Sequence, residues 1–259
     1  MITINNYVRA ESLEQAYDLN QKKSNRVLGG MMWMRLGKGR VHTAIDLSGL
    51  GLDTIEENEE EFKIGCMCTL RSLELHEGLN TYFQDALKES VHHIVGVQFR
   101  NGATVGGSVF GRFGFSDVLT VLLSLNSYIE LYKGGIVPLH EFVHMERDND
   151  LLVRVIVKKD NRQVRYLTER ATATDFPVIA CAVSRVENEW KVSVGARPMK
   201  AMLVTEKAEL TCAEDAEAFA KRVADAFTYG TNMRGSKEYR KHLAEILIRR
   251  AVKSLMEEC

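Results

Sequence analysis

The chain has 259 residues, of which 45% are hydrophobic and 27% charged, a composition typical of folded globular proteins. Its 34 basic and 35 acidic side chains leave a formal net charge of -1, which removes the usual electrostatic reason to expect binding to nucleic acid or to an anionic membrane. No apolar run approaches the roughly 20 residues of a membrane-spanning helix, and no secretory signal is recognisable. We therefore expect a cytoplasmic protein.

Short strands and helices alternate in the first part of the chain. The sequence Ser-Leu-Glu-Gln at residues 12–15 has the pattern of a capping box, which predicts a short helix. A strand over residues 26–30 ends in two glycines, and the alternation over residues 41–47 predicts another strand. The acidic stretch at residues 56–61 is the expected boundary of a small first lobe, residues 1–57.

A second lobe, residues 58–163, is expected to hold short elements around a long connection. Helices are predicted at residues 69–76 and 80–90, and a strongly apolar helix at residues 118–125. The connection at residues 101–114 is expected to be a loop, because five of its residues are glycine. Strands are predicted at residues 62–65, 128–132 and 151–157.

The last third, residues 164–259, changes character. An antiparallel meander is predicted over residues 165–195, followed by a helix that begins at a second capping box, residues 211–214. A final helix is expected to begin after Ser236 and to end near Met256. The coarse class is therefore α+β.

Two glycine pairs are the sharpest chemical signal. Gly29 and Gly30 follow the first short strand, and Gly106 and Gly107 lie in the sequence Thr-Val-Gly-Gly-Ser at residues 104–108. Glycine can approach a ligand closely and adopt positive φ, so that its amides bind phosphate oxygens. Neither segment fits the dinucleotide or P-loop pattern. Two ordinary tight turns are the structural alternative.

Other candidate sites are weaker. His140, Glu141 and His144 have the spacing of the zinc-peptidase motif, but no third ligand follows and a surface helix is the alternative. The adjacent His92 and His93 side chains diverge and cannot readily chelate one ion. The chain has an odd number of cysteines without iron–sulfur or zinc spacing, so we expect small buried side chains and no metal cluster. The cysteines are Cys66, Cys68, Cys181, Cys212 and Cys259.

Taken together, four segments resemble one family. Residues 100–117, with the sequence Arg-Asn-Gly-Ala-Thr-Val-Gly-Gly-Ser and later Gly-Phe-Ser-Asp, resemble the second flavin loop of molybdenum hydroxylase flavoproteins. Residues 27–33 take the place of that family's first loop, and residues 137–142 match its V-P-L-x-E-F sequence. Residues 235–240 resemble its S-A-E-Y-R segment. The family supplies the FAD-binding medium subunit of xanthine dehydrogenase and carbon monoxide dehydrogenase.

This resemblance implies a two-lobed FAD-binding domain of the PCMH/vanillyl-alcohol-oxidase type, followed by a C-terminal α+β domain of antiparallel sheet plus helices. It implies FAD as cofactor, with Asp117 accepting a hydrogen bond from a ribityl hydroxyl and Ile94 lying near the flavin. The first loop would bring the pyrophosphate-binding amides and their neighbours, namely Leu28, Gly29, Gly30, Met31, Met32 and Trp33. The second clasp would comprise Thr104, Gly106, Gly107 and Ser108.

The resemblance also implies partner chains. FAD would take electrons from a small iron–sulfur subunit, which a large molybdopterin subunit reduces, and would pass them to NAD or another acceptor. Met31 and Met32 stand where the family has Thr-Asp. This departure leaves a second hypothesis open, that of a scaffold subunit that has lost flavin binding. A zinc hydrolase based on His140 and His144 is the remote alternative.

Overall fold

The computed structural model describes residues 1–257. The chain forms two compact units, each assembled from three separate stretches. The first unit comprises residues 1–72, 97–111 and 127–157, and the second comprises the stretches between them and the chain from residue 158 onward. The three-lobe division at residues 57 and 163 stays a prediction.

Helices and strands occur in both units and largely in separate runs, which confirms the predicted α+β class. In chain order they are β1 (Thr3–Arg9), α1 (Leu13–Asn20), β2 (Arg26–Leu28), β3 (Arg40–Asp46), β4 (Ile55–Glu57), β5 (Glu61–Gly65), α2 (Leu70–Leu75), α3 (Glu77–Tyr82), α4 (Ala86–His92), α5 (Val97–Gly102), α6 (Val105–Gly111), α7 (Asp117–Ser124), β6 (Ser127–Leu131), β7 (Gly135–Pro138), α8 (Leu139–Phe142), β8 (Leu152–Lys158), β9 (Gln163–Arg170), β10 (Pro177–Val186), β11 (Glu189–Gly195), β12 (Met202–Lys207), α9 (Ala213–Asp225) and α10 (Lys237–Glu257).

The first unit contains two sheets. The smaller one has the order β1-β3-β2 with parallel pairing, so that β2 is an edge strand whose carboxyl end leads into the first glycine pair. Ser12 is the predicted N-cap of α1, since its Oγ accepts from the Gln15 amide, but the Gln15 side chain accepts from the Glu11 amide, one residue before the position that a capping box uses. The larger sheet has the order β4-β5-β8-β6-β7.

The second unit is built on the antiparallel sheet β12-β11-β10-β9. The predicted meander corresponds to β9, β10 and β11, and β12 is an additional strand that the sequence pattern does not predict. Apolar residues of α9 and α10 pack against β10 and β11, with Trp190 and Phe219 among the fully buried side chains. α7 is buried along its entire length and contacts β10 and β11.

Three local predictions are wrong. The helix predicted at residues 80–90 is two helices, α3 and α4, because Gln84 and Asp85 adopt positive φ between them. The predicted loop at residues 101–114 is largely helical, as α5 and α6 occupy most of it. The second capping box is shifted by one residue, with Cys212 as N-cap and Asp215 as its partner.

A buried arginine fixes the start of α10. Arg240 is 1% exposed, and its guanidinium donates to the carbonyl oxygens of Val178, Ala196 and Gly235 and to the side-chain oxygen of Asn232. No carboxylate of the described residues accepts from it. Since Val178 lies on β10 and Ala196 directly follows β11, this side chain links the helix to two strands of the sheet. The arginine of the S-x-E-Y-R segment thus has a structural explanation.

Replacement of Arg240 by Met should therefore destabilise the protein by about 3 kcal/mol, because buried carbonyl groups lose their donors. The free energy of unfolding in urea measures this loss. Arg250→Met, at an exposed position of the same helix, is the matched control and should change the stability by less than about 0.5 kcal/mol. Equal stabilities of the two variants would contradict the assigned role of Arg240.

Candidate functional site

The first glycine pair follows β2 and lies directly against the second glycine-bearing segment of the same unit. A Cβ atom built onto Gly30 would lie 1.7 Å from the carbonyl oxygen of Gly102, and one built onto Gly29 would lie 2.8 Å from Thr104 Oγ1. The distance at Gly30 is far below any contact that a carbon atom can make, and the neighbour is backbone. The two segments that the sequence predicts as halves of one clasp are therefore in contact.

The expected positive φ does not occur at these glycines. The left-handed conformation falls instead on the next residue, Met31, whose φ is 56°. An unbranched non-glycine residue tolerates this region at a cost of roughly 1–2 kcal/mol, and such residues concentrate at ligand-binding sites. The glycines serve close backbone approach, and Met31 supplies the change of backbone direction.

The first loop has unused main-chain donors. The N–H groups of Gly29, Gly30, Met31 and Met32 donate no hydrogen bond to any described residue. Successive N–H groups around a left-handed residue form a concave nest that binds anions. Four of the five predicted pyrophosphate donors of this loop are thus free, and the fifth, the Leu28 amide, belongs to the paired strand β2.

The second segment is arranged differently. Its four predicted residues lie at the start of α6, where the Gly106 amide donates to the Cys66 carbonyl oxygen (2.9 Å) and the Gly107 amide to Thr104 Oγ1 (3.2 Å). The Ser108 hydroxyl donates to the Thr104 carbonyl oxygen at 3.0 Å. The donors of Gly106, Gly107 and Ser108 therefore already have acceptors in the unit. What it offers a ligand is its shape and the hydroxyl of Thr104.

Gly107 differs from Gly106 in what surrounds it. A Cβ at Gly106 would lie 2.6 Å from the backbone oxygen of Cys66, whereas a Cβ at Gly107 would contact Thr104 Oγ1 alone, at 3.0 Å. Gly106 is therefore required for packing. Gly107 borders open space next to Gly29, whose Cβ position is 3.7 Å from the Gly107 Cα.

The methionines of the first loop pack against neighbouring residues. Met31 packs with Met34 against the small core formed by Leu28 and neighbouring strand residues, while the terminal methyl of Met32 covers Gly102. Trp33 is 41% exposed. Methionines in place of the family's Thr-Asp therefore remove side-chain hydrogen bonds but leave the main-chain donors in place.

Asp117 and Ile94 belong to the second unit. The Asp117 side chain is 5% exposed, and its Oδ1 accepts from the Tyr166 hydroxyl and, at 2.7 Å, from Arg170 Nη2. No described residue donates to Oδ2. Burial raises the pKa of the Asp117 carboxyl, and the positive charge of Arg170 opposes that rise. Ile94 is half-buried and directly precedes Val95, a β-branched residue at φ 51°.

Comparison with known proteins identifies the family. The family model described as the FAD binding domain in molybdopterin dehydrogenase matches residues 2–159, more than half of the chain. The chain belongs to this family. FAD is accordingly its cofactor, and the free amides of the first loop fit a pyrophosphate.

Relatives extend the likeness over the whole chain. The Escherichia coli (strain K12) protein YgfM is 23% identical over 252 residues, which cover 95% of this chain and 94% of YgfM. Two solved structures with a TM-score of 0.85 are carbon monoxide dehydrogenase from Hydrogenophaga pseudoflava and quinoline 2-oxidoreductase from Pseudomonas putida 86. The carbon monoxide dehydrogenase chain is 18% identical to this chain and the quinoline 2-oxidoreductase chain 15%. Each match covers 98% of this chain, and 98% and 97%, respectively, of the solved chain. At these identities the structures show a shared fold.

The zinc-like motif has no metal-binding geometry. His140 and Glu141 lie on α8, which ends at Phe142, so His144 falls beyond the helix, and all three motif side chains are exposed. Among residues 1–257, no group of three His, Cys, Asp or Glu side chains could hold a metal ion. The motif lies within the segment matched to the FAD-binding family.

The cysteines largely behave as predicted. Cys66, Cys68 and Cys181 are buried, and burial raises the pKa of the first two thiols to about 12 and about 11. Cys212 is exposed at the start of α9, contrary to expectation, and Cys259 lies outside the described residues. No helix within the described part of the chain is long and apolar enough to cross a membrane.

Sequence reasoning missed the partners of Asp117. Tyr166 lies on β9 and Arg170 at its end, about fifty positions from Asp117, and no local pattern connects them. The alternation of β9 gives one signal in retrospect, since Tyr166 occupies a buried position between half-buried ones.

Because backbone occupies the Cβ position of Gly30, Gly30→Ala should lower the stability by about 3 kcal/mol. Gly39→Ala is the matched control, since a Cβ there would have no atom within 4 Å and its φ is not positive. Unfolding in urea distinguishes the two, and a Gly30→Ala protein as stable as the control would refute the described contact.

Proposed function

We propose that this chain is the FAD-containing electron-transfer subunit of a multi-chain molybdenum hydroxylase of the xanthine dehydrogenase type. It would take electrons from iron–sulfur clusters of a small partner subunit, reduced by a large molybdopterin subunit, and pass them to NAD or another acceptor. The observation that carries this proposal is the first loop, whose four free amides surround a left-handed Met31 in a chain of the FAD-binding family.

In this proposal the residues of the chain bind and orient the cofactor. The amides from Leu28 to Met32 bind the pyrophosphate, the hydroxyl of Thr104 adds a donor, and the absence of a side chain at Gly107 leaves the phosphates room. Asp117 accepts from the ribityl chain and Ile94 provides an apolar neighbour for the ring. Bound FAD supplies the redox chemistry, since it accepts single electrons and releases them as a pair.

In this proposal the partner subunits supply the other redox centres of the complex. Solved structures that share the fold include those of carbon monoxide dehydrogenase and quinoline 2-oxidoreductase. Both are oxidoreductases, which supports an oxidoreductase complex for this chain. The free thiols Cys66, Cys68, Cys181 and Cys212 suit a reducing compartment, which supports placing the complex in the cytoplasm.

A visible absorption spectrum of the purified chain, with the released flavin identified by chromatography, tests the proposal. We expect close to one FAD per chain, and bleaching of the flavin bands when NADH is added without oxygen. No flavin, even after incubation with excess FAD, would overturn the redox function and favour the scaffold hypothesis. Bound FAD that NADH does not reduce would exclude NAD as the acceptor.

Gly107→Val should greatly reduce the FAD content of the purified protein without unfolding it. The valine side chain would extend into the open space beside the first loop, where it competes with the phosphates. The new Cβ would lie 3.0 Å from Thr104 Oγ1, so a small shift of that hydroxyl is needed to accommodate it. FAD content and thermal unfolding are measured together, with Gly39→Ala as control. A folded Gly107→Val protein with full FAD content would remove this loop from the site.

A further inference from the structure

The buried carboxylate of Asp117 has two unequal oxygens. Oδ1 accepts two hydrogen bonds, from the hydroxyl of Tyr166 and from Arg170 Nη2, whereas no described residue donates to Oδ2. A carboxylate has acceptor capacity on both oxygens. The described residues use that of Oδ1 and leave that of Oδ2 available to a ligand donor.

The two partners of Oδ1 are themselves held in place. Arg170 is 6% exposed at the end of β9, and its other terminal nitrogen, Nη1, donates to the carbonyl oxygen of Asp175 at 2.6 Å. Tyr166 is 6% exposed on the same strand. Both groups therefore reach Asp117 from a rigid strand in the core of the second unit.

The chemistry of Tyr166 and Arg170 determines how the carboxylate of Asp117 can act. Burial and the neighbouring Asp117 raise the pKa of Tyr166 well above its ordinary value, so its hydroxyl keeps its proton and donates. Burial raises the pKa of the Asp117 carboxyl, and the adjacent Arg170 guanidinium opposes that rise. With Oδ1 occupied, the carboxyl group can act towards a ligand as an acceptor through Oδ2.

We propose that Tyr166 and Arg170 are positioning residues for FAD: they hold Oδ1 of Asp117 so that Oδ2 is presented, as an acceptor, to a hydroxyl of the cofactor. This inference rests on the proposed function, in which Asp117 binds the ribityl chain. It adds two residues of the C-terminal part of the chain, outside the segment matched by the family model, to the determinants of flavin affinity.

A double-mutant cycle on the Kd for FAD tests the inference, with thermal unfolding of each apoprotein recorded in parallel. Tyr166→Phe keeps the ring and removes the donor, and it should raise the Kd about tenfold, as expected for a hydrogen bond to a charged group. In an Asp117→Asn background the same substitution should change the Kd by less than about twofold, because its effect passes through the carboxylate.

Tyr229→Phe is the matched control. The Tyr229 hydroxyl lies in the same unit but donates to the carbonyl oxygen of Ala224, so its removal should leave the Kd within about twofold of wild type. A second pair of variants covers the arginine: Arg170→Lys keeps the charge and should retain more FAD affinity than Arg170→Met.

The outcomes separate the inference from the proposed function. Wild-type protein that binds FAD, together with Tyr166→Phe of unchanged Kd, would overturn the inference alone. An equal loss in the wild-type and Asp117→Asn backgrounds would also overturn it, because Tyr166 would then act independently of Asp117. Wild-type protein that does not bind FAD would overturn both. A tenfold loss that disappears in the Asp117→Asn background supports the positioning role.

Discussion

The contact between the backbones of Gly30 and Gly102 is the constraint on which the first unit's candidate site depends. Since no side chain separates the two segments, the loop after β2 lies on the start of the second segment, and Met31 turns the chain through a left-handed conformation. The unpaired hydrogen-bond donors of this loop are main-chain amides. The side chains of Met31 and Met32 pack elsewhere, so methionines can stand at these positions without removing the free amides.

The second unit contains an arrangement of a different kind. It is a buried side-chain network, in which the charge of Asp117 is compensated by Arg170 and one oxygen is fixed by Tyr166. Such a network is sensitive to each member, because removing one leaves a buried charge or donor without a partner. Tolerance of substitution should therefore differ between the two units: high in the side chains of the first loop, low around Asp117.

Much of this arrangement could be predicted from the sequence. The strand before Gly29, the meander of the C-terminal part and the caps at Ser12 and Ser236 are local signals, and they agree with the structure. The two glycine pairs also indicated the site, through their resemblance to a family. The conformation of the backbone at single residues was harder to predict from the sequence, because the glycine content of residues 101–114 suggested a loop where α6 begins.

The remaining features depend on tertiary contacts that no local pattern encodes. β1 was missed because all but one of its seven residues are exposed, so it has no apolar alternation. The pairing of Asp117 with Tyr166 and Arg170 joins a helix start to a distant strand. The left-handed residue was expected to be a glycine, but the glycines are needed for close approach and the turn falls on Met31.

The division of each unit into three stretches has a consequence for synthesis on the ribosome. The chain passes between the units five times, and α7 is complete some seventy residues before the end of β11, the strand that it packs against. Synthesis proceeds at roughly 5–20 residues per second, so the nascent chain would carry this largely apolar helix without its sheet for on the order of ten seconds. The second unit can therefore close its core only late, and during that interval its most hydrophobic helix depends on transient contacts or on chaperones.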